Sequence, residues 1–153
     1  MKRKKNSVRI HKKRLRKTYK KYGGSMNISY PTFNVNNQES TQKATSVQPN
    51  INLYPIRYST LIMYDPDAII PPYLHFLVIN IKNGDINSGD VIVPYAGPTP
   101  PPGTGTHRYI FEQLEQQSPF TFATPERAKF DIKNFKAQNN LALKATKMFR
   151  VTA

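Results

Sequence analysis

The sequence predicts a mainly β fold with one or two short helices. Three observations support this prediction: segments rich in β-branched and aromatic residues recur along the chain, 13 prolines interrupt it, and few stretches carry an apolar repeat of helical length. The chain has 153 residues, of which 38% are hydrophobic, so it can build the core of about one domain.

The predicted strands follow one another along the chain. Residues 26–33 and 50–56 alternate loosely between apolar and polar positions, as half-buried strands do. Residues 58–64 are rich in β-branched and aromatic side chains, and residues 74–81 form a nearly continuous apolar run, which indicates a strand buried on both faces. Further strands are predicted at 90–93, 106–114 and 148–151.

The connections between these strands carry turn and cap signals. Asn83–Asp85 predicts a turn, and residues 94–105 contain five prolines and three glycines, so covalent geometry restricts the shape of that loop. Thr124, followed by proline, is typical of a helix N-cap and first helical position. Asp131 is placed to cap a second short helix.

The net charge of +14 is concentrated at one end of the chain. Residues 1–22 hold twelve Lys and Arg and no acid, whereas the rest holds eleven against nine acids, an ordinary balance. We therefore predict a basic, disordered arm at 1–24 and a folded domain at 25–153. The arm is expected to be a solvated tail, a nuclear-targeting signal, or a contact of residues 2–21 with a polyanion such as nucleic acid or anionic membrane.

Several classes of protein are excluded by what the sequence lacks. It contains no Cys, which excludes disulfide scaffolds, Cys-zinc sites and thiol nucleophiles. It has no apolar run near 18 residues, and no apolar core follows its basic N-terminus, so neither a transmembrane segment nor a secretory signal is expected. The expected location is cytoplasmic, or nuclear or virion-associated through the basic arm.

A pair of carboxylates flanks a proline just after a predicted strand. Asp65 and Asp67 lie two residues apart with Pro66 between them, and Pro66 fixes φ and removes a backbone donor. The carboxylates therefore sit in a bend of defined shape. An Asp-Pro-Asp segment by itself is also common in ordinary turns.

Two histidines and a tyrosine lie in or beside predicted strands. His75 interrupts the most apolar strand, on the face expected to carry Leu77 and Ile79, where a hydrogen-bonded core histidine is the plain alternative. His107 and Tyr109 are two apart on a later strand and so point to one face.

Together these residues predict a small polar pocket in an apolar surround. A carboxylate that accepts from one imidazole nitrogen orients the ring, and the other nitrogen can then donate to an anion, with the tyrosine hydroxyl as a second donor. A phosphate or carboxylate group fits this arrangement. A metal site is less favoured because no close His-x-x-x-His spacing is present, and no cofactor or catalytic residue is predicted.

Three segments, 60–68, 73–80 and 95–111, resemble the motifs of the phosphatidylethanolamine-binding protein family, which includes Raf kinase inhibitor proteins and plant flowering-time regulators. With weaker similarity around them, the resemblance covers roughly 26–153. It implies a large antiparallel β-sheet with Greek-key connections and a small anion-binding pocket. The implied ligand-binding residues are Asp65, Asp67, His75, His107 and Tyr109, and the implied rim residues are Pro66, Gly97, Pro98 and Thr99.

This chain departs from the family pattern near the implied pocket. Ile69 stands where members usually have proline, and Thr99 stands where some have a glycine near the anion, which would narrow the site. The loop from Ala68 to His75 is short, so the rim of the pocket is expected to differ. Arg108 would point away from the pocket and is expected to be structural. The abundance of Asn, Ile, Lys and Tyr is typical of an AT-rich genome, so a viral homologue or a protist protein would fit.

The favoured function is a non-enzymatic binding module that recognises a phosphate-bearing small molecule, a phospholipid head group or a phosphorylated group. The alternative is an inhibitor or scaffold that acts on a kinase or a protease through its outer surface, with the pocket vestigial. A hydrolase that uses a His–Asp pair as general base is less favoured, because neither Cys nor a Gly-x-Ser-x-Gly elbow supplies a nucleophile.

Overall fold

The computed structural model describes residues 26–153, so the predicted arm at 1–24 and its boundary lie outside the described residues. Most of the described chain forms strands or their connections. The strands are β1 (Asn27–Tyr30), β2 (Phe33–Asn34), β3 (Glu39–Ser40), β4 (Asn50–Asn52), β5 (Tyr58–Asp65), β6 (Tyr73–Lys82), β7 (Asp90–Val93), β8 (Thr106–Glu115) and β9 (Ala142–Thr152). Helix α1 is Ile132–Gln138, and 3₁₀ turns occupy Lys43–Thr45 and Ile86–Ser88.

The larger of two sheets has the strand order β3-β9-β8-β5-β6-β7. Strands β5, β6 and β7 are consecutive antiparallel neighbours, and β8 returns to lie beside β5, which is the Greek-key order. The mainly β prediction and its Greek-key connection are therefore confirmed. The sheet is not wholly antiparallel, because the two-residue edge strand β3 runs parallel to β9. No hairpin joins these distant segments, so chain connectivity does not impose an antiparallel direction.

The smaller sheet, in the order β2-β1-β4, packs on one face of the larger sheet. The two sheets share a core of buried apolar side chains. From the smaller sheet and its flanks come Met26, Ile28, Tyr30, Val35 and Ile51, and from the larger sheet come Leu61, Met63, Phe76, Val78, Tyr109, Phe111, Phe149 and Val151. Burial of this apolar surface is the main driving force for the sandwich-like packing.

Helix α1 and the segment before it cover the opposite face of the larger sheet. Asp131 caps the helix as predicted, its carboxylate accepting from the Asn134 backbone N–H at 2.9 Å. Phe135 of α1 packs among aromatic rings of the preceding segment. Lys136 pairs with the buried carboxylate of Glu112 on β8, which ties the polar side of the helix to the sheet.

The helix predicted at Thr124 does not form, and this prediction is wrong. The Thr124 hydroxyl donates to the Ile92 carbonyl instead of capping a helix. Downstream, the Arg127 carbonyl accepts from Leu74 N–H and the Phe130 N–H donates to the Pro72 carbonyl. These backbone groups bond to residues at and just before the start of β6, so they are not available for the hydrogen bonds of a helix.

The proline-rich loop at 94–105 is fastened to the large sheet near the start of β6. The Ala96 N–H donates to the His75 carbonyl at 2.9 Å, and the Arg127 guanidinium donates to the carbonyls of Leu74, His75 and Pro94. These bonds hold the loop across the ends of the central strands, where it forms one wall of a cavity.

Candidate functional site

A cavity of about 390 Å³ opens where β5 ends and where β6 and β8 begin. This volume lies in the range of small-molecule sites. Its polar lining consists of Asp65, Tyr73, His75, Thr99, His107 and Tyr109. Its apolar walls consist of Ala68, Ile69, Ile70, Pro100, Pro101 and Ala128.

A buried carboxylate–imidazole pair lies at the base of the site. The His107 Nδ1 atom is 2.7 Å from the Asp65 Oδ2 atom, and the two residues are only 1% and 3% exposed. The other Asp65 oxygen accepts the Asp67 backbone N–H at 2.7 Å, so the turn around Pro66 fixes the carboxylate. Strand β5 thus presents Asp65 to the adjacent strand β8, and the carboxylate sets the orientation of the His107 ring.

The second nitrogen of His107 also has a partner in the protein. His107 Nε2 lies 2.8 Å from the Thr104 hydroxyl oxygen, and that hydroxyl donates to the Pro101 carbonyl at 2.7 Å. Thr104 was not among the residues predicted for the site. Its position three residues before His107 in a Gly-Thr-Gly loop was the only sequence signal that could have suggested it.

His75 reaches the cavity through a β-bulge in β6. The pairing of β5 with β6 passes from Met63↔Phe76 to Tyr64↔Leu74, which leaves His75 as the extra residue. The expectation that His75 shares a face with Leu77 and Ile79 is therefore wrong. Those two side chains belong to the core on the α1 side, whereas the His75 ring packs edge-on against Tyr109, with ring centroids 5.2 Å apart.

Hydrogen bonding and burial favour the neutral form of His75. Its Nδ1 lies 2.7 Å from the Ala96 carbonyl oxygen, so Nδ1 carries the proton and Nε2 is the nitrogen that a ligand can reach. Burial lowers the pKa of His75 below its ordinary value of 6.5, although the Ala96 bond opposes the shift. At neutral pH the Nε2 atom is therefore a hydrogen-bond acceptor until an anion draws a proton to it.

Tyr109 supplies a hydroxyl on the same side of the sheet. Burial, followed by the nearby Asp65 carboxylate, raises the pKa of this phenol above its ordinary value of 10. A hydrogen bond to Asp65 also raises this pKa, so the phenol keeps its proton at neutral pH and donates to a ligand only in place of Asp65. Tyr73, two residues before His75, also lines the cavity, and its ring centroid lies 5.0 Å from that of His75. It was not predicted, although the spacing of two along a strand was an available signal.

The structure places the Asp67 carboxylate outside the cavity lining. Its two oxygens accept bonds of 2.8 Å from the Arg108 guanidinium, and one also accepts the Arg108 backbone N–H at 3.0 Å. Arg108 hydrogen bonding is the main reason why the pKa of Asp67 is lowered. Arg108 thus lies opposite to His107 and Tyr109, as expected, and it binds the carboxylate that was expected to orient an imidazole.

Of the predicted rim residues, the cavity is lined by Thr99 but not by Pro66, Gly97 or Pro98. Gly97 instead packs against the backbone at Thr45, where an added Cβ would lie 2.7 Å from the carbonyl oxygen. The rim contains two residues that were not predicted for it, Ile69 and Ile70, with exposures of 69% and 47%.

Residues 26–153 contain neither a cluster of metal-ligating side chains nor a helix that could span a membrane. Within residues 26–153, no group of three or more His, Asp and Glu side chains is placed to hold a metal ion. No helix in that part of the chain has the length and apolarity needed to cross a membrane.

Comparison with known proteins places this geometry in a family. The fold is similar to the solved structure of a carboxypeptidase Y inhibitor in complex with its cognate proteinase, with a TM-score of 0.73, 18% identity, and coverage of 91% of this chain and 95% of the inhibitor. It is also similar to a phosphatidylethanolamine-binding protein from Plasmodium vivax, with a TM-score of 0.68, 23% identity, and coverage of 83% of this chain and 84% of that one. The corresponding protein from Plasmodium falciparum gives a TM-score of 0.64, 25% identity, and coverage of 82% of this chain and 83% of that one.

The family model for phosphatidylethanolamine-binding proteins matches residues 5–150. The match begins inside the basic segment, whereas the resemblance noted from the motifs began at about residue 26. It includes all three motifs and every residue that lines the cavity. The chain therefore belongs to the phosphatidylethanolamine-binding protein family.

Proposed function

We propose that this chain is a non-enzymatic binding protein that holds an oxyanion in the cavity, with a phosphate-bearing small molecule or a phospholipid head group as its ligand. The observation that carries the proposal is the convergence of His75, Tyr109 and the Asp65–His107 pair on one apolar-walled cavity. A small number of polar groups on an apolar wall is the usual composition of a ligand pocket.

In this proposal His75 and Tyr109 make the first contacts with the anion. The Tyr109 hydroxyl donates in place of its bond to Asp65, and His75 Nε2 donates once the ring takes up a second proton. Binding is therefore coupled to proton uptake by His75, because the buried ring is neutral in the free protein. Ile69, Ile70 and the prolines of the opposite wall favour a ligand whose phosphate carries an organic substituent.

The same geometry argues against a hydrolase. Asp65, His107 and Thr104 stand in the order carboxylate, imidazole, hydroxyl, which resembles a hydrolytic triad. The Thr104 hydroxyl, however, donates a hydrogen bond to the Pro101 carbonyl, and in that arrangement it does not present its proton to His107 Nε2, as a nucleophile activated by a general base would. We therefore retain binding without chemistry as the proposed activity.

The test is an NMR titration of the full chain with inorganic phosphate and with phosphoethanolamine, in which the ring signals of all histidines are followed. His11 in the basic segment is an internal control, because non-specific anion binding to that segment moves its ring signal. Saturable shifts at His75 and His107 are expected in the wild type, and the shift at His107 should be lost in His75→Gln. Unmoved pocket histidines at millimolar ligand in the folded chain would refute the proposal.

A second candidate function is inhibition of a protease or a kinase through the outer surface. Its support is the exposed apolar pair Ile69 and Ile70 at the rim, together with the similarity of the fold to a carboxypeptidase Y inhibitor. Assays against carboxypeptidase Y and a protein kinase distinguish the two functions. Inhibition that survives His75→Gln but is lost in Ile69→Ser would favour this candidate. If neither the wild type nor either variant inhibits these enzymes, the candidate is refuted.

A further inference from the structure

The hydrogen bonds around Thr104 determine which atoms carry protons. A threonine hydroxyl has a single proton, and its oxygen lies 2.7 Å from the Pro101 carbonyl and 2.8 Å from His107 Nε2. A carbonyl can only accept, so the hydroxyl proton goes to Pro101. The bond to His107 then requires a proton on Nε2, which donates to the Thr104 oxygen.

The bond at the other ring nitrogen, Nδ1 of His107, also requires a proton on the ring. An ionised Asp65 carboxylate can only accept, so His107 Nδ1 must donate across the 2.7 Å contact. In this arrangement of protons both ring nitrogens of His107 donate, and the ring is an imidazolium paired with a buried carboxylate. Both of its N–H groups already have partners inside the protein, so neither is free for a ligand while Thr104 holds its place.

We propose that Thr104 is a specificity-determining residue that competes with the ligand for the Nε2–H of His107, so that only an oxyanion can engage this histidine. The proposal rests on the oxyanion function proposed above. A bond between an imidazolium and an oxyanion is charge-assisted on both sides, whereas the bond to the threonine hydroxyl is assisted on one side only. A phosphate oxygen can displace the hydroxyl, and a neutral alcohol or carbonyl gains nothing by doing so.

The loop around Thr104 has room to give up this contact. Gly103 and Gly105 flank it with φ of +80° and +79°, and neither has an atom within 4 Å of the position that a Cβ would occupy. At the loop tip the Thr104 amide and hydroxyl donate to the Pro101 carbonyl, and the hydroxyl oxygen accepts from His107 Nε2. Movement of the Thr104 hydroxyl away from His107 therefore disturbs no packed side chain. The hydrogen bond from the Ala153 N–H to the Gly105 carbonyl still anchors the base of the loop.

The test compares Thr104→Ala, which removes the competitor, with Thr104→Ser, which keeps the hydroxyl. Thr106→Ala is a matched control, because that hydroxyl bonds Thr152 at 2.8 Å and not His107. The dissociation constants of inorganic phosphate and of phosphoethanolamine are measured for the full chain by titration, and ¹⁵N signals of the His107 ring report its protonation without ligand. Comparison of the two ligands separates a free-phosphate site from a head-group site.

We expect Thr104→Ala to bind phosphate about three- to tenfold more tightly, as the release of one hydrogen bond allows. Thr104→Ser and Thr106→Ala should match the wild type. In the ligand-free wild type both His107 nitrogens should be protonated, with slow exchange of the Nε2 proton that becomes fast in Thr104→Ala. Equal or weaker binding by Thr104→Ala, or an unprotonated Nε2 in the wild type, would overturn the role of Thr104 and leave the oxyanion function standing. Failure of every variant to bind either ligand would overturn both.

Discussion

Replacement of Asp65 by asparagine tests the buried pair on which the site is built. Asp65 and His107 are almost fully buried and 2.7 Å apart, and asparagine keeps the shape of the side chain but removes its charge. Removal of one partner of a buried ion pair costs about 3–5 kcal/mol of the free energy of unfolding. We expect the lower end, about 3 kcal/mol, because the amide still fills the site and its oxygen can still accept the Nδ1–H of His107.

The neighbouring carboxylate provides a matched control. Asp67 lies on the same turn and accepts bonds from Arg108, but both side chains are partly exposed. Exposed ion pairs contribute about 0–1 kcal/mol, so Asp67→Asn should cost less than about 1 kcal/mol. The two substitutions are chemically identical and two residues apart. The difference between their losses in the free energy of unfolding therefore measures the effect of burial on the ion pair.

The assays are urea denaturation and thermal melting at neutral pH, both followed by far-ultraviolet circular dichroism or tyrosine fluorescence, since the chain has 9 Tyr and no Trp. For a domain of this size a loss of 1 kcal/mol lowers the Tm by about 3 °C, so Asp65→Asn should melt about 9 °C below the wild type. Equal losses in the two variants would refute the claim that the Asp65–His107 pair is electrostatically distinct from a surface pair.

The other predictions concern the cavity wall, the pH dependence and the second core. Gly97→Ala should be the more destabilising of two glycine substitutions, at about 1–3 kcal/mol, because an added Cβ overpacks against the Thr45 backbone. Gly103→Ala should cost less, at most about 1–2 kcal/mol, from its positive φ alone; a larger loss of Tm in Gly103→Ala than in Gly97→Ala would contradict the packing argument. The pKa of His75 is lowered in the folded protein, so its contribution to stability is present above pH 6.5 and is lost as the pH falls below that value towards the folded pKa. Below pH 6.5 the free energy of unfolding should therefore depend less steeply on pH in His75→Gln than in the wild type. An unchanged slope would show that other groups cause the pH dependence. Phe135→Ala should cost about 3–5 kcal/mol, because the ring is buried among three other phenylalanines; a loss below about 1 kcal/mol on denaturation would show that α1 is not part of the core.

Local sequence signals predicted most of the β structure. Segments with β-branched and aromatic side chains became β5, β6 and β8, because such side chains fill a pleated, buried surface in almost any β context. The cap at Asp131 was also predictable, since a carboxylate three residues before an unpaired helical N–H acts within one turn. The Thr124 signal was equally local, but backbone pairing with the entry to β6 outweighed it.

The candidate site was predicted in its residue types and only partly in its arrangement. The period of two along β8 correctly placed His107 and Tyr109 on one face and Arg108 on the other. The same rule failed for His75, because one extra residue in β6 turns that side chain to the opposite face. A bulge depends on the partner strand, so the sequence of β6 alone does not reveal it.

The sequence by itself determined most of the strands, the bend at Pro66, the capped helix and, through its motifs, the family. Only the tertiary structure decided which carboxylate meets which side chain. Asp65 pairs with His107 across 42 positions of sequence, whereas Asp67 turns to Arg108. The tertiary structure also brought the Thr104 hydroxyl to His107 and the Ile69 side chain to the rim. The physical reason is that a hydrogen bond needs its atoms within about 3 Å, and strand register and loop anchoring set that distance, whereas composition and spacing do not.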